Sequence, residues 1–275
     1  MTALPPASRA RRTALPVALC AGLVAALSAC AAEDPDEGTN GVGKLTATQI
    51  ESKAQAAAGA AKAVRLSGTL VSKGVTYKLN MRLKTAGATG SVATKNSTFE
   101  LLRIGDALYM KAGAAFWRHA ESSGDGEGSG SSGSSAEPSG SSGSGEPSKE
   151  DIQAAEKLDG KYVKVPQDDP SYKQLRGFTE MNVLLRGLLT LHGEVAKGGR
   201  DAVSGTRTIK VAGGANGAGG TLDVSLEGTP YPLRFARGGG GGVVVLTDWN
   251  RDFPLDEPAK EDTLDYGGKL PRTSD

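Results

Sequence analysis

The sequence predicts an α+β fold, an antiparallel sheet with helices packed on one side, and three observations carry that prediction. Tyr77, Leu79, Met81 and Leu83 alternate with Lys78, Asn80, Arg82 and Lys84, the period of two that gives a strand one dry and one wet face. Leu222, Val224 and Leu226 repeat the pattern against Asp223, Ser225 and Glu227. Between them, Leu175, Phe178, Met181, Leu184, Leu185, Leu188 and Leu189 recur at helical spacing. The order helix, meander, two helices, meander, with hairpin-like connections, segregates helices to one side of an antiparallel sheet.

The chain opens with Arg9, Arg11 and Arg12, then a charge-free run from Thr13 to Leu27 and small residues. This reads as an export signal over residues 1–29, because fifteen mostly apolar residues are too few for a permanent span of about 20. Arg11-Arg12 leaves the twin-arginine route open beside ordinary Sec export. Leu27-Ser28-Ala29-Cys30 has the order of a bacterial lipobox, which makes Cys30 the lipidation site; the alternative is an ordinary cleaved signal with Cys30 incidental. Losing residues 1–29 removes three arginines and no acids, leaving 29 Lys+Arg against 31 Asp+Glu. Cys20 leaves with them, so Cys30 is the one cysteine of the mature chain. A diacylglycerol on Cys30 would anchor the protein in a membrane, two acyl chains holding where one is marginal. Residues 30–43 are acidic and carry Gly and Pro, which predicts a flexible tether, with the folded part starting near Lys44.

Leu45 to Val64 reads as a first helix, with Thr48 and Glu51 in capping-box spacing and a narrow, mostly Ala stripe at Ile50, Ala54, Ala57 and Ala61. Strand runs follow at 64–70, 77–83, 90–94, 98–104 and 107–111, with Gly105-Asp106 as a tight turn. Ser122 to Ser148 holds 12 Ser and 8 Gly in 27 residues and nothing able to bury apolar area, which predicts a disordered loop. Phe116-Trp117 and Tyr162-Val163 read as strand ends joined by that loop within one domain, a true interdomain linker being the alternative. Lys149 to Leu158 is a short helix, 161–166 a strand, and Ser171 to Leu191 a long helix that His192 ends. Asp168-Asp169-Pro170 is a turn and N-cap cluster. Strands at 206–211, 222–227, 233–235 and 243–246 complete the sheet, separated by Gly-rich turns at 213–220 and 238–242; the latter has no Lys-Ser/Thr and no helix after it, so it is no phosphate loop.

Composition narrows the function. Two cysteines and two histidines leave no material for a zinc module or a His-based metal site, and a near-neutral charge argues against nucleic-acid binding. No Gly-x-Ser-x-Gly sits between a strand and a helix, so no catalytic residue and no cofactor is expected. Asn96-Ser97-Thr98 fits a glycosylation sequon, which carries no weight because a lipobox implies a bacterial cell. The candidate site is apolar: the dry face of a strongly curved sheet, incompletely capped by helices, would hold a cavity. Its lining would come from Leu79, Met81, Leu83, Leu101 and Met110, from Phe178, Met181, Leu185 and Leu188, and from Leu222, Val224, Leu226 and Phe235. A packed core has the same periodicity, so pattern alone favours a core.

The order of several short motifs resembles the LppX/LprG group of bacterial lipoproteins. These are the lipobox, the Ala-rich helix running into Leu66-Ser67-Gly68-Thr69-Leu70, the hairpin Gly105 to Lys111, Gly160 to Pro166, Tyr231-Pro232-Leu233-Arg234 and Leu246-Thr247-Asp248-Trp249. The resemblance implies a LolA/LolB-like half-barrel sheet whose concave face is closed by helices, a single domain over 44–275 with the 122–148 tract as an insertion, and a hydrophobic cavity for lipid. It also implies an extracytoplasmic, membrane-anchored protein that binds or transfers a lipid-like ligand. The alternative is a sensor or scaffold that contacts an envelope membrane protein.

Overall fold

The computed structural model describes residues 36–72, 74–121 and 149–265. The signal 1–29, Cys30 and the tract 122–148 lie outside the described residues.

Helix α1 (Ala47–Ala60) starts at Thr46, not Thr48: the Thr46 side chain accepts from the Gln49 N–H, and the Gln49 side chain returns to the Thr46 N–H. It ends at Ala60, because Ala61 is extended, and Val64 belongs to the first strand. A meander follows, β1 (Ala63–Ser72), β2 (Val75–Lys84), β3 (Gly87–Ala93), β4 (Thr98–Ile104) and β5 (Ala107–Ala112). Phe116-Trp117 does not end a strand; it lies in helix α2 (Ala114–Glu121), which packs with α3 (Lys149–Leu158). After β6 (Tyr162–Lys164), the expected long helix is two, α4 (Pro170–Thr179) and α5 (Met181–Leu188), broken at Glu180 with ψ 102°. Asp169 caps α4 as expected, accepting from the Ser171 N–H at 2.7 Å. The second half is β7 (Val195–Val203), β8 (Thr206–Gly213), β9 (Thr221–Ser225), β10 (Pro232–Ala236), β11 (Val243–Thr247) and β12 (Thr263–Asp265).

The two meanders merge into one open, twelve-stranded sheet in the order β12-β6-β5-β4-β3-β2-β1-β11-β10-β9-β8-β7. Every pairing is antiparallel except β12 with β6. The two halves join where β1 accepts β11 as well as β2. Two strand glycines sit where a neighbouring backbone approaches closely, a usual role of glycine within a strand. Gly68 in β1 and Gly90 in β3 have φ of +144° and +155°, and a Cβ there would lie 2.2 Å from the Val243 and Asn80 carbonyl oxygens, respectively.

Candidate functional site

Register sets the dry face. Val163, Met110, Leu101, Gly90, Met81, Leu66 and Leu246 are successive partners across seven strands. A second row runs Ala112, Phe99, Val92, Leu79, Gly68, Val244, Phe235, Leu222 and Val211. Because directly opposed residues share a face, these rows form one apolar surface that crosses both halves of the sheet. The two glycines fall on it. At Gly90 a Cβ would lie 2.8 Å from the Met81 sulfur, so the missing side chain is the space that Met81 fills.

The helices cover this surface unevenly. α1 lies against β7, β8, β9 and β10 through Ile50, Ala54 and Ala58, and its small residues allow close approach. α5 packs beside α1 and buries Met181, Leu185 and Leu188. α4 lies against β3 and β4 and buries less: Leu175 and Phe178 are half-buried, with the Phe178 ring 6.4 Å from that of Tyr77 on β2. On α5, Val183 is 53 % exposed.

Of the residues expected to line a cavity, Leu79, Met81, Leu83, Leu101, Met110, Met181, Leu185, Leu188, Leu222, Val224, Leu226 and Phe235 are buried in one contiguous cluster, and Phe178 packs at its rim. The structure brings the whole set together, as a packed layer. A solvent-open cleft of about 340 Å³ lies elsewhere, at the β5–β6 end, with Asp106, Lys164, Pro166 and Asp265 among its lining.

Polar groups fix the cover at defined points. Arg103, on the dry face of β4 and 5 % exposed, donates from Nε and Nη2 to the Thr179 carbonyl at 3.3 and 3.0 Å and from Nη1 to Gly105 O at 2.7 Å. Burial lowers its pKa, with Glu180 the largest opposing influence. Tyr172 Oη donates to Asp106 O at 2.7 Å. At the other side, Gln55 of α1 donates to Leu189 O at 3.1 Å, and Glu51 Oε1 accepts from the Leu191 N–H at 3.2 Å. His192 does not cap a helix; it follows the end of α5, and its N–H donates to Gly219 O.

The wet face is closed by charge and by the chain's own C-terminal segment. Asp223, 1 % exposed, bonds Lys210 at 2.9 Å and Arg234 at 2.7 Å, and Arg234 reaches Asp201 at 2.8 Å. Phe253 is buried beneath Lys84 and Arg82, whose cationic groups sit 5.0 and 5.7 Å from its ring centroid. Among the described residues no group of His, Cys, Asp and Glu is placed to hold a metal ion, and no helix is long and apolar enough to cross a membrane.

The chain is similar to two mycobacterial lipoproteins. LprF from Mycobacterium bovis matches 78 % of this chain and 97 % of its own at 14 % identity, with a TM-score of 0.47. The lipoprotein LppX of Mycobacterium tuberculosis matches 76 % and 98 % at 12 % identity, with a TM-score of 0.44. Both are of the LppX/LprG family whose motifs the sequence resembles. A Thermus thermophilus protein matches 80 % and 98 % at 8 % identity, with a TM-score of 0.36. No protein-family model and no curated protein sequence matches the chain.

Further features escaped the sequence. Residues 36–43, expected as tether, are packed: Val42 is 3 % exposed, and Asp36 bonds Arg200 at 2.7 Å. The sequence signal was there in Val42, the one large aliphatic in an otherwise polar segment. β7 was missed because an exposed edge strand carries no alternation. Arg103 breaks no pattern on paper, since the alternation of Phe99, Leu101 and Arg103 reads as apolar only to its second member.

Proposed function

We propose that this chain is an extracytoplasmic lipoprotein, anchored through a diacylglycerol on Cys30, which binds or transfers a lipid or other hydrophobic ligand against the dry face of its sheet and performs no covalent chemistry. The observation that supports this most is the mismatch between the apolar surface and its cover. The surface spans both halves of the sheet, while its cover near the centre is two short helices, not one long one. Helices of ten and eight residues are marginal alone. They stay in place through packing, roughly 2 kcal/mol for each of Met181, Leu185 and Leu188. Acyl chains offer the sheet face the same kind of burial, so a ligand can take the place of part of this cover, entering where Phe178 meets Tyr77.

The test is titration of the chain from Asp36 onward with an environment-sensitive fluorescent acyl probe. The proposal expects saturable emission that competing lipid displaces, and slower uptake in Phe178→Glu, whose half-exposed site tolerates the carboxylate while the apolar entrance does not. An absence of saturable binding removes ligand transport from the reading. The second reading, a sensor or scaffold that docks on an envelope membrane protein, is favoured by the exposed Val183; Val183→Glu would then abolish the partner interaction and leave the fold intact.

A further inference from the structure

We propose that the end of the sheet carrying the β7–β8 and β9–β10 turns is the surface that rests on the bilayer, a proposal that rests on Cys30 being the lipidated residue. The first ground is where the chain leaves the fold. Asn40 Nδ2 donates to Ser225 O and Gly228 O at 3.0 Å each, and its N–H to Leu226 O at 2.8 Å. Arg207 donates to the carbonyls of Glu37 and Gly38 at 3.3 and 3.0 Å. All of these partners lie at that one end of β8 and β9, so the segment from Glu37 is fastened there, while the Asp36 carboxylate reaches Arg200 further along β7.

Only residues 31–35 then separate Cys30 from Asp36. Six Cα–Cα steps reach at most about 20 Å. A ten-residue strand such as β1 is roughly 33 Å long. The tether is thus shorter than the sheet is tall, and the opposite end, where β5 runs into α2, is held away from the lipid.

The second ground is independent of the tether. Tyr231 and Trp249 stack at this same end, ring centroids 4.6 Å apart and planes 5° from parallel, both half-exposed. Asn250 Nδ2 donates to Tyr231 Oη at 2.6 Å, and its side-chain Oδ1 accepts from the Lys62 N–H at 2.7 Å. The Trp249 indole nitrogen is itself buried, so the half-exposed ring faces and the Tyr231 hydroxyl are what this end offers to the headgroup level that aromatic side chains favour; the exposed Lys62 beside them suits phosphate headgroups, while Arg251 is held by Asp248 at 3.3 Å. The occupant is therefore a glycerophospholipid headgroup surface, the one that holds the anchor.

The chain has two tryptophans, and they report the two ends. Trp249 is at the proposed membrane end, and Trp117 is fully buried in α2 at the other. Purified chain from Cys30 onward, which retains every described residue, is coupled through its one thiol to maleimide-headgroup lipid in phosphatidylcholine and phosphatidylglycerol vesicles doped with headgroup-nitroxide lipid. The expected result is loss of the Trp249 share of emission, absent when the thiol is blocked beforehand, absent in Trp249→Phe, and reversed by a twenty-residue Gly-Ser insertion before Asp36. Unquenched emission from protein that co-floats with the vesicles overturns the orientation, as does equal quenching with and without Trp249; association through this end with a protein or a second copy gives the former. The chemical coupling replaces the lipid anchor, so orientation can fail while lipidation stands. The mass of the N-terminal peptide from cells decides lipidation separately.

Discussion

Arg103 holds the end of α4: its guanidinium donates twice to the carbonyl oxygen of Thr179, the last residue of that helix, from within the apolar face of β4. A cation at a helix C-terminus meets the negative end of the dipole, and here the contact falls at the break between α4 and α5. Arg103→Met keeps apolar volume but orphans the Thr179 and Gly105 carbonyls, at about 1–3 kcal/mol. Urea unfolding should show that loss, and acyl-probe exchange should become faster. Slower or unchanged exchange with the same loss of stability would confine Arg103 to a structural role.

Gly68→Ala tests the close approach of β1 and β11. A positive φ costs a non-glycine residue about 1–3 kcal/mol, before the collision with Val243 O. The expected outcome is a lowered Tm together with weakened β1–β11 protection in hydrogen exchange, because the new Cβ strikes that junction first.

The packed segment 36–43 makes a prediction about where the domain starts. A chain beginning at Lys44 loses the buried Val42 and the Asn40 bonds to Ser225, Leu226 and Gly228. It should be less stable than one beginning at Asp36 by about 2 kcal/mol or more from Val42 alone. Paired denaturant titrations of the two chains measure this; equal midpoints would return the segment to the status of a tether.

Acid sensitivity follows from surface carboxylates on the wet side. Asp201 is held below the ordinary carboxylate range by the Ala202 N–H and by Arg234, and Glu227 by the N–H and guanidinium of Arg207. Asp252 is lowered by Lys84 and by the Phe253 N–H. With folded pKa values depressed, their contribution is present above the unfolded values, near pH 4, and is lost as pH falls through the folded ones. Stability should be flat from neutral pH down to about pH 5 and decline below about pH 4. Added salt should shrink the decline, since all three groups are solvent-screened.

The legible parts of this fold were those that bury an apolar side chain at regular spacing. β2 and β9 announce themselves because each alternates a core residue with a polar one, and the Leu175–Leu189 spacing finds both helices of the cover. Their division was illegible because Glu180 is an ordinary helix residue whose ψ of 102° is imposed by the tertiary fold, Arg103 gripping the residue before it. Tertiary contact also bears on the start of α1: Gln49 returns to the Thr46 N–H, while Glu51, the partner expected for Thr48, instead accepts from the Leu191 N–H and from Gln55. The candidate site was legible as a set of residues, since core and ligand-contacting face share one periodicity. How the helices sit on that face comes from backbone breaks and single polar contacts, which leave no period behind.

Native mass spectrometry of the Cys30→Ser chain after incubation with membrane-lipid vesicles reads ligand binding itself. Stoichiometric adducts of lipid mass are expected, which survive gentle desolvation, are lost on acyl competition and form more slowly in Phe178→Glu. A single mass of the bare chain, before and after vesicle exposure and with the fold intact by circular dichroism, would contradict lipid binding.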